Sequence, residues 1–310
     1  MKAIWACIVL FLLCIQTYAQ EVIGVPIPFN QFTNNYFLIN PASISTESDM
    51  AVTIGRQFNT NAWSDIYTHY ANATLKLTSS NTQEEHFPRH VVGFNFIGDK
   101  EGQYLSRNRM YALYSLQVRL SEKLFLASGA SVGFASYTVS GTSVSSSGSA
   151  TTPDAGLGLW LFDKQNGHIG VSVNQLTEGK LRPIEETTRL KRYYTLSLRK
   201  HIPLSSQVSL YPALLIRHVP AYQTLWEGNM GLVLNDLFMA GVSMKYKENF
   251  SILAGIERLP VLGGYVKTAF SYTAPVPNRL VARFNSYEFT LSFYMLKKRK
   301  IEEKEEEEEK

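Results

Sequence analysis

A chain of 310 residues with a formal net charge of +4, 45% hydrophobic and 12% aromatic, carries 17 Tyr and 17 Phe. In a soluble protein those rings would fill a core; in a membrane barrel they coat the outside and form interfacial girdles. The net charge averages separated blocks rather than marking a basic domain, so no nucleic-acid partner is expected, and both cysteines, Cys7 and Cys14, lie near the start, which excludes disulfides, thiolate metal sites and cysteine nucleophiles from the remainder.

Residues 1–19 have the form of a secretory signal. Lys2 supplies the positive charge, Ala3 to Ile15 are almost unbroken apolar residues, and Thr17-Tyr18-Ala19 gives a small-residue cleavage site before Gln20. The run falls short of the ~20 residues a spanning helix requires. Leu13 stands where a lipoprotein signal ending at Cys14 needs a small residue. No later apolar segment reaches the length of a membrane helix. Residues 20–49 form a lead-in containing Gln31-Phe32-Thr33, Tyr36 and Leu38-Ile39-Asn40-Pro41-Ala42. Pro41 fixes its own φ and biases Asn40 towards an extended conformation, which marks a turn rather than a strand centre.

From Met50 to residue 295 the sequence breaks into alternating segments of about ten residues punctuated by turn residues, as barrel strands do. Early segments fall near 50–58, 65–77, 90–97, 107–120, 123–139, 153–162 and 167–175. Later ones centre on Tyr194–Arg199, Val208–Ile216, Met230–Leu234, Phe238–Lys247, Phe250–Ile256, Val266–Tyr272 and Tyr287–Tyr294. The total predicts an all-β transmembrane barrel of about fourteen antiparallel strands in the outer membrane. An even count is what single-chain bacterial barrels require. If the first strand starts in the periplasm, alternate connections should be short periplasmic turns. Ser121-Glu122, 163–166, 203–206, Asn235-Asp236 and Leu259-Pro260-Val261 fit that side. The stretches 140–152, 177–189 and 274–283 fall outside. The connection 78–89 breaks the rule, being long yet periplasmic. A soluble sandwich also alternates, but the signal, the aromatic abundance and the final strand favour the barrel.

That final strand is the clearest segment. Tyr287, Phe289, Leu291 and Phe293 share one face, and Glu288, Thr290 and Ser292 share the other. The first set is expected on lipid and the second in the lumen. Beyond it, Lys297, Lys298, Arg299 and Lys300 precede an acidic run from Glu302 to Glu309 broken only by Lys304; residues 296–310 read as a solvated, disordered tail.

Catalytic, cofactor and metal constellations are not found. Gly129-Ala130-Ser131-Val132-Gly133 matches a nucleophile elbow, which requires a strand-to-helix turn; here it lies inside an alternating segment. His86 and His90, with Glu84 and Glu85, have a helical metal spacing, but Pro88 lies between them and the region reads as a loop. His69, His168, His201 and His218 are scattered singly, without acidic partners at a diagnostic spacing.

The lead-in resembles the start of the PorP/SprF family, outer-membrane barrels of the type IX secretion and gliding motility machinery of Bacteroidetes. The resemblance lies in Gln31-Phe32-Thr33, Tyr36 and Asn40-Pro41-Ala42, in Arg56-Gln57-Phe58 and in the closing strand. The family's usual glycine after Asn-Pro-Ala is absent, Ser43-Ile44-Ser45 standing there, and Phe58 replaces a common tryptophan. The resemblance implies a non-enzymatic component that helps secrete or anchor a partner adhesin or other cargo. Its partners would be the bilayer, the secretion machinery on the periplasmic side and the cargo outside. The alternative is a porin or small-hydrophobe transporter; an outer-membrane hydrolase would need a Ser/His pair that the sequence does not place.

Overall fold

The computed structural model describes residues 29–295, apart from 45–47, 61–62, 78–86, 142–146, 166, 185–187, 221–223, 247, 262 and 276–284. The expected signal and tail lie outside the described residues, as do His86, Glu84 and Glu85. Fourteen antiparallel strands close into a barrel: β1 (Met50–Asn59), β2 (Ile66–Lys76), β3 (Arg89–Glu101), β4 (Leu105–Arg119), β5 (Leu124–Val139), β6 (Gly148–Asp163), β7 (His168–Asn174), β8 (Tyr193–Arg199), β9 (Val208–His218), β10 (Thr224–Leu234), β11 (Phe238–Lys245), β12 (Asn249–Val261), β13 (Gly264–Pro275) and β14 (Ser286–Met295). Each pairs with its neighbours in sequence, and β1 pairs with β14 from Met50↔Met295 to Asn59↔Ser286. Closure removes every sheet edge, so the spanning backbone satisfies its own hydrogen bonds in a medium without water.

Side chains alternate as the final strand foretells. Phe289 and Leu291 are 44% and 37% exposed on the outer wall, whereas Glu288 and Ser292 are 0% and 2% exposed inside. The inversion runs round the barrel. Ile54, Val132, Phe134, Leu159 and Ile169 face outward, while Thr53, Asn72, Asn95, Gln117 and Ser172 are buried within. A soluble protein would hide the first set; here lipid solvates it.

β1 begins and β14 ends at one rim, called inner below; the opposite rim is outer. Inner connections are short at 120–123, 164–167, 235–237 and 262–263; 200–207 is longer and pairs Ile202 and Pro203 with Leu210 and Ser209, so the expected turn at 203–206 starts one residue later, and 77–88 is the longest. Asn235 and Asp236 both take positive φ (53° and 54°), the conformation of a type I′ hairpin that Asn and Asp tolerate. Several boundaries differ from the sequence reading. Leu259-Pro260-Val261 is not a turn but the end of β12, because Pro260 sits beyond a register shift between Ile256 and Leu259 and still pairs across to Tyr265. β6 starts at Gly148, so its Ser/Thr-rich start is strand rather than loop. β10 begins at Thr224, six residues before the apolar alternation becomes regular. The stretch 177–189 folds back on itself through a two-residue pairing of Lys180–Leu181 with Thr188–Arg189. Leu181 and Leu190 pack there against Ala135 and Tyr137.

Candidate functional site

The lumen is not open. Residues 29–44 lie inside the barrel as a plug of three short 3-10 turns, Phe32–Asn34, Tyr36–Leu38 and Pro41–Ser43. The plug begins level with the outer end of β14, where the Asn30 amide donates to Ser286 Oγ (2.7 Å). It descends to the inner half, where Gln117 Nε2 donates to the Ile44 carbonyl (3.0 Å). Its composition suits its surroundings. Asn30, Gln31, Asn35 and Asn40 are buried with Phe29, Phe32, Tyr36 and Ile39, amides meeting the polar wall and rings meeting one another.

Glu288 anchors the outer half. Its Oε2 accepts the backbone N–H of Asn30 (2.6 Å) and of Gln31 (3.1 Å); its Oε1 accepts Asn35 Nδ2 (2.9 Å) and the Tyr70 hydroxyl (2.7 Å). A buried carboxylate with four donors is the kind of charged group an interior tolerates. Gln31 adds a second tie, its Nε2 donating to the Glu288 carbonyl (2.7 Å).

Asn40 clamps the inner half. Its side-chain oxygen caps the Pro41–Ser43 turn by accepting the Ala42 N–H (2.9 Å), and its Nδ2 donates to the carbonyls of Leu159 (3.1 Å) and Val171 (3.0 Å) on β6 and β7. The expected extended conformation is present, with φ −136° and ψ 115°. The wall makes room with glycine: a Cβ at Gly158 would strike Asn40 Oδ1, and one at Gly129 the backbone of Ala42. The irregular plug backbone also presents carbonyls that need donors. Asn95 serves Phe37 (2.8 Å), while Ser172 (2.9 Å) and Asn174 (3.1 Å) serve Ile39.

Among the described residues, those singled out by chemical motif are not brought together. Ser131 sits within β5 with strand on both sides, and Gly129 of its motif is explained by contact with the plug. His90 contacts the Tyr114 hydroxyl (2.7 Å), His201 Ser209 (3.0 Å) and His218 Thr224 (3.0 Å), and His69 packs against Tyr67. Among the described histidines, His168 joins the lumen cluster, stacked on Trp160 at 3.9 Å and met edge-on by Tyr36 at 4.5 Å. Of the anchors, Tyr70 and Asn35 have no motif signal, whereas Gln31 lies in the Gln31-Phe32-Thr33 motif and Glu288 on the expected lumen face, without a local sign that either ties a plug. The available signal was the dense amide and aromatic composition of 29–40, which lacks any strand period.

Below the plug, at the inner rim, a cavity of about 140 Å³ remains, lined by Tyr36, His168, Arg199, Arg258 and Lys267 among others. A β-bulge shapes it. Glu257 and Arg258 together oppose Lys267, so both turn into the lumen, as bulges re-aim side chains; Glu257 pairs with Lys267 (2.9 Å). Burial pushes the pKa of the Tyr36 phenol above its ordinary value, and nearby Arg199 pulls it part of the way back. Towards the outer rim, Arg107 forks onto Asp99 (2.9 and 2.6 Å), and Tyr111 donates to Asp154 (2.7 Å).

Comparison with known proteins bears on both fold and role. The sequence profile of the family described as type IX secretion system membrane protein PorP/SprF matches residues 24–293. No curated protein sequence matches the chain. Among solved structures, the chain is similar to the CymD monoaromatic hydrocarbon channel (TM-score 0.56, 11% identity, 88% of this chain and 95% of that one). It is also similar to the toluene transporter TbuX of Ralstonia pickettii (TM-score 0.54, 9% identity, 83% and 92%) and to a FadL homologue of Pseudomonas aeruginosa (TM-score 0.50, 11% identity, 83% and 93%). At such identities the likeness is one of fold.

Proposed function

The chain belongs to the type IX secretion system membrane protein PorP/SprF family, and from that premise we propose that it is a non-enzymatic outer-membrane component that helps secrete a partner protein or anchors it at the cell surface. The observation that carries this reading is the lumen filled by the chain's own residues 29–44, tied to the wall through Glu288 and Asn40. A barrel stoppered this way is ill suited to bulk diffusion. It offers two rims instead, the outer connections to a cargo and the inner face to the periplasmic machinery.

The experiment is deletion of the gene followed by comparison of surface and culture-fluid proteomes with the parent strain. One or a few proteins should disappear from the surface while general permeability stays unchanged. The second reading, a small-hydrophobe transporter, draws on the fold shared with hydrocarbon transporters and on an apolar groove of about 550 Å³ where β5 to β9 meet near the inner rim. An unchanged secretome with lost uptake of a small solute would decide for it.

A further inference from the structure

The barrel wall divides the Arg56-Gln57-Phe58 segment of β1. Gln57 turns into the lumen, its Nε2 donating to Ser286 Oγ (3.2 Å), while Arg56 and Phe58 stand on the lipid side with Ile54. An arginine on that side is costly near the midplane and tolerated towards an interface. Arg56 reaches towards one. Its guanidinium carbon lies 5.7 Å from the Phe58 ring centre and 5.3 Å from that of Tyr67, the residue opposite Phe58 on β2. The side chain therefore bends up the wall in the direction of the outer rim, as long cationic side chains do. Lys100 on β3 meets the same Tyr67 ring, its Nζ 5.8 Å from the centre. Two like charges share one ring, and among the described residues neither forms an ion pair. Asp65, just before β2, accepts from Gln103 (3.4 Å). Cation–π contacts of this kind are individually modest and leave the repulsion between the two cations in place.

Below the cations the wall offers a lane for an apolar chain. The outward residues of β2 after Tyr67 are His69, Ala71 and Ala73. The register sets Ile54 and Val52 on one flank of the two alanines, and Phe96 and Phe94 on the other. Small side chains between bulky ones leave a shallow groove running from the cations towards the midplane. At the level of Phe58, Tyr287 stacks on it at 5.5 Å and meets Tyr272 at 5.3 Å, a girdle of the kind that marks the headgroup level.

We propose that this patch binds a phosphorylated lipid of the outer leaflet, with the phosphate held between Arg56 and Lys100 and an acyl chain lying over Ala71 and Ala73. The chemistry selects the occupant. A guanidinium and an ammonium together suit phosphate oxygens, the groove beneath them is apolar, and the medium against this wall is the bilayer. A soluble anion would satisfy the cations and leave the groove unused. In an outer membrane, the lipid that carries phosphate at the outer interface is a glycolipid of the lipopolysaccharide type. The assignment takes the outer rim as the cell-surface one and stands independently of the secretion role.

The test is native mass spectrometry of the full protein, stripped of lipid in detergent and titrated with lipid A or with the same lipid after removal of its phosphates. The parent should bind one lipid A about tenfold more tightly than the dephosphorylated form. Combining Arg56→Gln with Lys100→Gln should bring lipid A down to the dephosphorylated level, while Lys200→Gln at the inner rim should change nothing. Inorganic phosphate in excess should not displace the lipid. Equal binding of the two lipids by the parent overturns the proposal, and that arm needs no variant to fold. Displacement by inorganic phosphate overturns it too, since the site would then serve a free anion. So does parent-like binding by the double variant, which would put the lipid elsewhere on the wall. In cells, a benzophenone amino acid in place of Ala71 should crosslink to lipid. A protein adduct of discrete mass would give this face to a neighbouring protein and refute the lipid assignment.

Discussion

Removing the Glu288 carboxylate should free the outer half of the plug without opening the wall. In Glu288→Ala, the Tyr70 hydroxyl keeps Thr290 Oγ1 at 2.7 Å and Asn35 Nδ2 keeps Tyr70 Oη at 3.0 Å. The backbone N–H groups of Asn30 and Gln31 keep nothing, since both point at the missing Oε2. Two orphaned buried donors cost about 1–3 kcal/mol each, so local opening becomes easier by about 2–6 kcal/mol. At about 3 kcal/mol, the population of the open plug rises by roughly two orders of magnitude. Glu288→Gln should be much milder. Its remaining oxygen can serve the two N–H groups while its amide donates to Tyr70, and Asn35 can turn the oxygen that otherwise lacks a partner. Hydrogen exchange measured by mass spectrometry on a peptide spanning 29–38 reads the difference, with peptides from β5 and β6 reporting barrel integrity. Unchanged protection in Glu288→Ala would refute the anchor. Equal damage from Glu288→Gln would show that charge rather than acceptor geometry holds the plug.

Three further outcomes are expected. Leu291→Arg should destabilise the inserted barrel by about 2–4 kcal/mol near the midplane, and Ser292→Arg, on the lumen side, much less; urea titration in vesicles reads both, and the reverse order would mean the facing is wrong. Asn40→Asp should release residues 39–42 more than Asn40→Ala does, because it turns a carboxylate oxygen towards the Leu159 and Val171 carbonyls that Nδ2 serves; exchange at 39–44 is the measurement, and an Asp variant as protected as the parent contradicts the clamp. Epitope tags at Ser146 and after Lys310 should differ on intact cells, the first reached by antibody and the second not; equal labelling refutes the orientation.

The wall was legible because a barrel strand carries its facing in a period of two. Phe289 against Glu288, or Val132 against Ser131, needs no tertiary knowledge to place. The turns were legible where the residue type dictates the backbone, as at Asn235-Asp236. Boundaries failed where pairing overrode pattern. The start of β6 is small and polar, yet Gly148 and Ser149 pair with Val139 and Thr138 because β5 extends equally far; Pro260 looked like a turn because the bulge at Glu257 and Arg258 that accommodates it leaves no trace in composition. The plug failed for a different reason. Its contacts join residues some 250 positions apart, as Asn30 does with Glu288, and no local period encodes such a meeting. What the sequence did carry was Asn40-Pro41-Ala42, whose preference for a capped turn was clear while its location inside the barrel was not.

The two clamps also constrain how such a barrel can serve secretion. Glu288 lies on β14 and Asn40 holds carbonyls on β6 and β7, so the plug is tied to widely separated parts of the wall in the strand order. Clearing the lumen for another polypeptide would break both clamps, expose the aromatic cluster of Phe32, Tyr36 and Trp160, and leave the Leu159 and Val171 carbonyls without the Asn40 donor. Each loss is a buried group left without its partner, and together they exceed what one weak contact with a cargo would return. Contact at the rims asks for none of this. The outer rim presents the longest connection, with the 177–189 fold-back held down by Leu181 and Leu190, and the inner rim presents the connections around the cavity lined by Tyr36, His168 and Lys267. In the proposed role, a cargo at the outer rim and machinery at the inner one would be joined by a wall that stays closed.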